Sequence, residues 1–390
     1  MIKPSLFIIL PRVPYPLEKG DKLRAYHIIK GLKKEFHIHL FALQHEPIDQ
    51  STRDEIAEIC DTYDFVKTSW LRIFFNTFLN IFNGKPFQVG YFFHSGLKRK
   101  IHRAVKEENP TLIFCQLLRT AEYVKNINVP KLLDFQDAFS KGMKRRAETS
   151  SPFIRWFYGI EGRRLARYEQ KVSGWFNNTF IISEQDREAM PELKNESCVL
   201  RNGVDMNYYS PQNNKQKYDL LFVGNMSYAP NVNAVVYFAK NVMPLLLEKY
   251  PKLQFVIAGA NPHAKVKMLA SDNIIITGWA DDLREYYSCS KIFVAPMQIG
   301  TGLQNKLLEA MAMAVPCITS SLANNALGAD APKEILIADK PEEYLAAIVR
   351  LLENEQERNQ IAAAGRLLIQ QNYSWENQIS VLKNIIYRYL

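Results

Sequence analysis

Lys306 and Glu309 stand three residues apart in "IGTGLQNKLLEAMAMAVP" (299–316), a stretch otherwise made mostly of small or apolar residues. Gly300 and Gly302 lie just ahead of them, in a loop that offers few side chains. Glycines there let a backbone come close to a ligand and take φ > 0 without penalty. A helix starting near Leu303 would aim unpaired N–H groups, and the positive end of its dipole, into that loop. This is the chemistry of an anion site, as at phosphate-binding helix N-termini. Lys306, one turn in, adds a full positive charge, and Glu309 shares its face by helical spacing. A carboxylate beside phosphates has a use if it accepts hydrogen bonds from a ribose diol, and phosphates with a ribose make a nucleotide. The plainer alternative is a turn and a helix start, with Lys306 and Glu309 as an i,i+3 ion pair. The stretch is not a dinucleotide fingerprint, because Asn305 occupies the third glycine position, and no GxxxxGK[ST] occurs in the chain.

Strands alternating with helices must carry this loop. Leu6–Leu10, Phe36–Leu43, Leu112–Cys115, Lys131–Asp134 and Thr179–Ile182 read as short buried strands, with a helix over Leu23–Glu35. The pattern restarts at "YDLLFVG" (218–224) and runs through "LQFVIAG", "NIIITG", "KIFVAP", "PCITS" and "EILIA", with a helix from about Asn231 to Lys249. Apolar runs separated by helices argue parallel sheets covered on both faces. The expected architecture is α/β, with two doubly wound domains facing a cleft. Residues 1–205 form the first, 206–373 the second, and 374–390 a separate terminal helix. In open α/β sheets ligands bind outside the carboxyl ends of the strands, which is where the 299–316 loop falls.

Composition narrows the class. The 390 residues exceed one comfortable core, so two domains are expected. Five scattered cysteines form no CxxC or His/Cys cluster, which speaks against a disulfide framework or a zinc site and for a reducing cytoplasm. No run of 18 apolar residues predicts a transmembrane helix. The charge is lopsided: residues 1–205 hold 32 Lys+Arg against 24 Asp+Glu, and the remainder 17 against 16. A basic half suits an anionic membrane surface or nucleic acid, or is simply a solvated surface. No nucleic-acid module is recognisable, so nucleic acid is not an expected partner.

"APMQIGTGLQNKLLEAMAMAVPCITS" resembles the donor-site motif of retaining GT-B glycosyltransferases of family 4, the glycosyl transferases group 1 set. "PRVPYPLEKGDKLRAYHIIKGL" (11–32) is similar to the first-domain loop and helix of a subgroup linked to bacterial exopolysaccharide biosynthesis. "FIISEQDRE", "RNGVD", "FVGNMSYAPNVNAVVYF" and the closing "YSWE" match in the right order. The resemblance implies transfer of a sugar from a nucleotide-sugar donor, held mainly by the second domain, to a glycan or lipid-linked acceptor, with retention and without a metal or other cofactor. Glu309 matches the second glutamate of the E-x7-E motif, which holds the ribose. Gly300, Thr301, Gly302 and Leu303 match the backbone that contacts donor sugar and diphosphate, with Gln304, Lys306 and Asn225 beside it. Gly20 matches the first-domain glycine loop over the diphosphate, and the resemblance implies that the terminal helix 374–390 crosses back to the first domain.

Three departures stand out. Thr301 replaces the first glutamate of E-x7-E. The Arg and Lys expected after the first strand of the second domain are absent from "GNMSYAPN". Gln116 and Arg119 follow the strand Leu112–Cys115 where some members carry a histidine. Thr301 raises the alternative of a catalytically degenerate nucleotide binder. A nucleotide-sugar epimerase would need a paired acid and base, and no such pair is evident.

In glycosyl transfer the bond from anomeric carbon to diphosphate breaks while negative charge builds on the departing phosphate, so fixed donors there matter most in the transition state. Lys306, Glu309 and Asp21 are the candidates for roles at the reacting bond, and Arg24, Arg119 and Asp137 for the acceptor side. Asp21 also suits a helix N-cap, and Asp137 a turn at a strand end. Trp279 lies after a strand where a base could sit, though packing in the core is the expected role. Between 69 and 100, Leu71, Phe74, Phe75, Phe78 and Phe82 recur at helical spacing. Such a stripe usually packs into a core. The alternative is an amphipathic surface that brings the protein to the inner face of the plasma membrane.

Overall fold

The computed structural model describes residues 3–148, 151–190, 193, 197–299 and 302–390, the side chains of Ile81, Arg145 and Ala189 excepted. Contacts divide the chain into two units, Met1–Arg201 with Gln378–Leu390, and Asn202–Asn377.

In the first unit Ser5–Leu10 (β1), His37–Gln44 (β2), Thr62–Lys67 (β3), Leu112–Gln116 (β4), Lys131–Gln136 (β5), Asn178–Ile181 (β6) and Ser197–Val199 (β7) form a parallel sheet ordered β3-β2-β1-β4-β5-β6-β7. In the second unit Tyr218–Val223 (β8), Phe255–Ala258 (β9), Ile274–Gly278 (β10), Ser290–Ala295 (β11), Cys317–Thr319 (β12) and Leu336–Ile337 (β13) form another, ordered β10-β9-β8-β11-β12-β13. Leu6, Phe7, Ile8 and Ile9 are all fully buried, as are Leu220, Leu221 and Phe222, so both faces of both sheets are covered. This is why these strands read as unbroken apolar runs. Strand order reverses between β1 and β4, and again between β8 and β11, which sets a crevice at the carboxyl ends of each pair.

The divisions fall at 201/202 and 377/378 rather than at 205/206 and 373/374. Val204 pairs with Ser374, and Trp375 lies so close over Gly203 that a Cβ there would come within 2.5 Å of its ring. Those residues therefore stay with the second unit. The terminal helix Trp375–Ile386 joins the first unit through its later turns: Ile379 fills the space over Gly31, and Lys383 Nζ lies 2.6 Å from Glu35.

Other expectations shift for local reasons. The helix expected over Asn231–Lys249 is Ala229–Tyr237, a π-turn over Phe238–Val242, and Met243–Lys249. Pro244 cannot donate an N–H, and the wide turn ahead of it absorbs the missing bond. The helix of the glycine loop begins at Asn305 rather than Leu303 and ends at Ala312. The largest departure is the phenylalanine stripe. It forms the helix Trp70–Asn83, but its aromatic residues lie on the surface and not in a core: Phe74 is 67% exposed and Phe82 75%.

Candidate active site

The site in the second unit is built at the switch point between β8 and β11. Beyond β8 the backbone runs very close to the end of β9: a Cβ on Gly259, whose φ is +134°, would fall 2.0 Å from the carbonyl oxygen of Gly224. Only glycine tolerates this. Asn225 follows. Its Oδ1 accepts from Ser227 N at 2.9 Å and Ser227 Oγ at 2.8 Å, so the side chain is spent on forming the loop. Its backbone oxygen accepts from Asn231 Nδ2 at 2.9 Å.

Asn231 is buried and accepts, through Oδ1, from Lys306 Nζ. The ammonium also lies 4.5 Å from the centroid of the Phe222 ring. Lys306 is the second residue of the helix Asn305–Ala312, which packs Leu307, Leu308 and Met311 into the core. Burial lowers the Lys306 pKa to about 7, with Glu309 opposing the shift.

Glu309, one turn on, does not form an ion pair with Lys306. Its Oε2 accepts from Tyr287 Oη at 2.9 Å, and Tyr209 donates to it as well. Burial raises its pKa to about 7, against the two tyrosines and Lys306. The carboxylate raises both tyrosine pKa values further, beyond the large effect of their own burial. The side chains at 306 and 309 thus serve different partners, and the i,i+3 ion pair is not the reason for their presence.

The helix start itself has no side-chain cap. Gln304, at the N-cap position, sends its Nε2 back to the Gly302 oxygen at 2.8 Å, and Asn305 Oδ1 is buried without a partner. The first-turn N–H groups have no side-chain cap and the Asn305 amide oxygen no donor, which leaves this helix start open to a polar ligand. Leu303 packs partly into the core. Gly300 and Thr301 lie outside the described residues. Trp279 is not packed: it is 76% exposed, and its Nε1 donates to Asp281 Oδ1 at 3.0 Å.

In the first unit, Gly20 opens the helix Gly20–Leu32 and has nothing within 4 Å of where a Cβ would stand. Asp21 is not the N-cap; Lys19 holds that position. Its carboxylate lies 3.1 Å from Arg12 Nε, and its backbone oxygen accepts from Gln116 Nε2 at 2.9 Å. Arg119 donates to Gln88 at 2.8 Å, with its guanidinium 4.6 Å from the Phe92 ring centroid and 5.0 Å from that of Phe139. Burial brings its pKa down to about 10; Arg12 and Arg146 lower it further, while Asp21 and Asp137 act against them. Asp21, Arg119 and exposed Asp137 therefore gather at the carboxyl ends of β1, β4 and β5, beside two non-glycine residues at positive φ, Leu117 and Gln136.

Arg24 does not join them. It is 1% exposed, with Nε 2.6 Å and Nη2 3.1 Å from the two oxygens of fully buried Asp134, and further bonds to the Leu200 and Arg201 carbonyls. A guanidinium so committed cannot reach an acceptor, and its role is to tie three parts of the first unit together. The sequence offered no sign of Tyr209, Tyr287, Phe222 or Asn231 as partners of the site. The tyrosines lie in "NYYS" and "EYYS", far from 309 in the chain, and only the fold brings them to it.

Residues 217–354 match the family described as Glycosyl transferases group 1. A 44.6 kDa protein in the cps region of Klebsiella pneumoniae is 22% identical over 396 residues, covering 95% of this chain and 96% of that one. Among solved structures, sucrose-phosphate synthase from Thermosynechococcus elongatus superposes with a TM-score of 0.70 at 12% identity, over 98% of each chain. HepE of Anabaena, solved with UDP, also reaches 0.70 at 12% identity, over 98% of this chain and 100% of its own. The fold is the GT-B fold. Together with the match over 217–354, it supports a GT-B glycosyltransferase.

Proposed function

We propose that this protein transfers a sugar from a nucleotide-sugar donor to a glycan or lipid-linked acceptor, with retention at the anomeric carbon and without a metal. The observation that carries this is the pairing of Glu309, fixed by two tyrosines, with an uncapped helix start and a buried Lys306 at the switch point of the second sheet. Glu309 holds the ribose diol. The N–H groups of the 302–307 turn and Lys306 take the diphosphate, and their grip strengthens as the leaving phosphate gains charge. That phosphate accepts the acceptor's proton on the same face, so no separate base is required. Asp21 and Arg119 stand at the carboxyl edge of the first sheet, on the acceptor side. The HepE structures with UDP and with UDP-glucose support the nucleotide, and the cps-region setting of the Klebsiella relative is in keeping with a place in exopolysaccharide synthesis.

A melting screen against UDP, GDP, ADP, dTDP and CMP, followed by their sugar conjugates, tests the donor assignment, since a ligand that binds only the folded state raises the melting temperature. A shift with one nucleoside diphosphate is expected, and its sugar conjugate then supplies the transfer assay. Binding without turnover on any acceptor would point to a degenerate protein, and no shift at all would remove the donor site. The anomeric configuration of the product, read by NMR, decides retention.

A further inference from the structure

Helix Trp70–Asn83 is amphipathic in the opposite sense to a packed helix. Trp70, Leu71, Phe74, Phe75, Phe78 and Phe82 are exposed, while its amides turn inward. Asn76 Nδ2 donates to the Phe93 oxygen at 2.8 Å and buried Asn80 Nδ2 to the Pro86 oxygen at 2.9 Å. The neighbouring turn fits tightly against this polar side: a Cβ on Gly90 would come within 2.6 Å of Asn80 Nδ2 and 2.7 Å of the Asn76 oxygen. The polar face is thus used for folding and the aromatic face is left to water.

A second helix extends the surface. In Pro152–Ser173, Arg164 Nη1 donates to the Asn80 oxygen at 3.0 Å, and Phe157 stacks on Phe87 with ring centroids 5.3 Å apart. Beside them Phe153 is 81% exposed and Trp156 64%. Exposed clusters of large apolar side chains of this kind mark interaction sites.

The charge around the patch identifies the occupant. Residues 139–173 hold nine lysines and arginines against three glutamates. Two of those, Glu161 and Glu169, are buried, whereas Lys141, Lys144, Arg163 and Arg167 are exposed. A second copy of this chain would bring like charges together across a two-fold interface, which disfavours self-association. The helix Trp70–Asn83 has 14 residues, about 21 Å at 1.5 Å each, too short to cross a hydrocarbon core of about 30 Å but suited to lying in its interface. The exposed Trp70 and Trp156 favour the same depth. We propose that this face docks the protein on an anionic lipid bilayer, the aromatic side of Trp70–Asn83 entering the headgroup region and the exposed Lys141, Lys144, Arg163 and Arg167 meeting the lipid phosphates. This goes beyond the reaction proposed above and rests on none of its residues.

The full chain is tested by co-sedimentation with phosphatidylcholine vesicles with and without phosphatidylglycerol. Brominated lipid serves as a quencher of tryptophan fluorescence. The wild type is expected to bind the anionic vesicles, in a salt-dependent way, with quenching. Phe74→Ser/Phe82→Ser, altering two exposed positions, should weaken binding by about tenfold or more while circular dichroism and melting stay unchanged. Lys144→Glu/Arg163→Glu/Arg167→Glu should abolish the preference for anionic lipid. Failure of the wild type to bind either vesicle would overturn the proposal, as would binding that neither variant changes. A wild-type dimer that becomes a monomer in the aromatic variant, with no vesicle binding by either, would assign the face to self-association instead.

Discussion

Replacing Glu309 with glutamine separates what the carboxylate does for folding from what it does for a ligand. Burial displaces its pKa from 4.5 to about 7, despite hydrogen bonds from Tyr287 and Tyr209. The folded-state value lies above the unfolded one. Between those two values the folded chain holds a proton that the unfolded chain has lost, so stability falls as pH rises through this window. At about 1.4 kcal/mol per pKa unit the charged carboxylate costs about 3 kcal/mol by pH ~8 and little near pH ~4. Glutamine fills the same space, can still accept from the tyrosines and never ionises. Glu309→Gln should therefore match the wild type in acid and be more stable by up to about 3 kcal/mol at pH ~8, as read from denaturation of the second unit at both pH values. The same variant should bind nucleoside diphosphate about tenfold to a hundredfold more weakly, because hydrogen bonds from the ribose to a charged acceptor are lost. A variant less stable than the wild type at both pH values would refute the buried-charge argument. Wild-type nucleotide affinity would refute the ribose assignment.

Lys306 carries the opposite sign. Its pKa falls from 10.5 to about 7, so the unfolded chain holds a proton that the folded one lacks, and this group's contribution to stability recovers as pH rises from 7 toward 10.5. A bound diphosphate should restore the proton, so calorimetry near pH ~8 in buffers of differing ionisation enthalpy should report proton uptake. Lys306→Met should abolish that uptake, and equal binding enthalpies for the wild type across the buffers would contradict the assignment. Lys306→Ala should reduce turnover more than ground-state binding, and equal losses would argue against a transition-state role. Arg24→Ala leaves the Asp134 charge buried and unpaired and should destabilise the first unit by about 3–5 kcal/mol in urea melts. If stability is unchanged while transfer is lost, Arg24 belongs to the site after all. Gly259→Ala places a methyl against the Gly224 carbonyl and forces an alanine to φ +134°, so the second unit should lose about 3 kcal/mol or more. An unchanged melting temperature would show that the strand ends are looser than described.

Much of the fold was legible because parallel strands buried on both faces leave an unbroken apolar signature. Strands of mixed polarity were not: Thr62–Lys67 at one edge of its sheet and Ser197–Val199 at the other carry too few apolar residues to stand out. The loop and its helix were legible from Gly302, Lys306 and Glu309, since spacing along a helix fixes which residues share a face. The purpose of Arg24 was not, because a charge next to a suspected site reads the same whether it faces a ligand or a buried partner. The aromatic stripe of 70–83 was misjudged for a related reason. Period alone says that a helix has an apolar side, and only the partners of Asn76 and Asn80 reveal which side faces the protein.

The sequence by itself determined the alternation of strands and helices, the charge imbalance and the loop-to-helix motif, all properties of neighbouring residues. The tertiary structure decided what each charge meets. It set Tyr209 and Tyr287 on Glu309, Asn231 and Phe222 on Lys306, and Asp134 on Arg24, pairs separated by 22 to 110 positions. Burial, and with it the pKa of Lys306 and of Glu309, depends on those distant partners, because the field around a charge is made by whatever the fold packs against it.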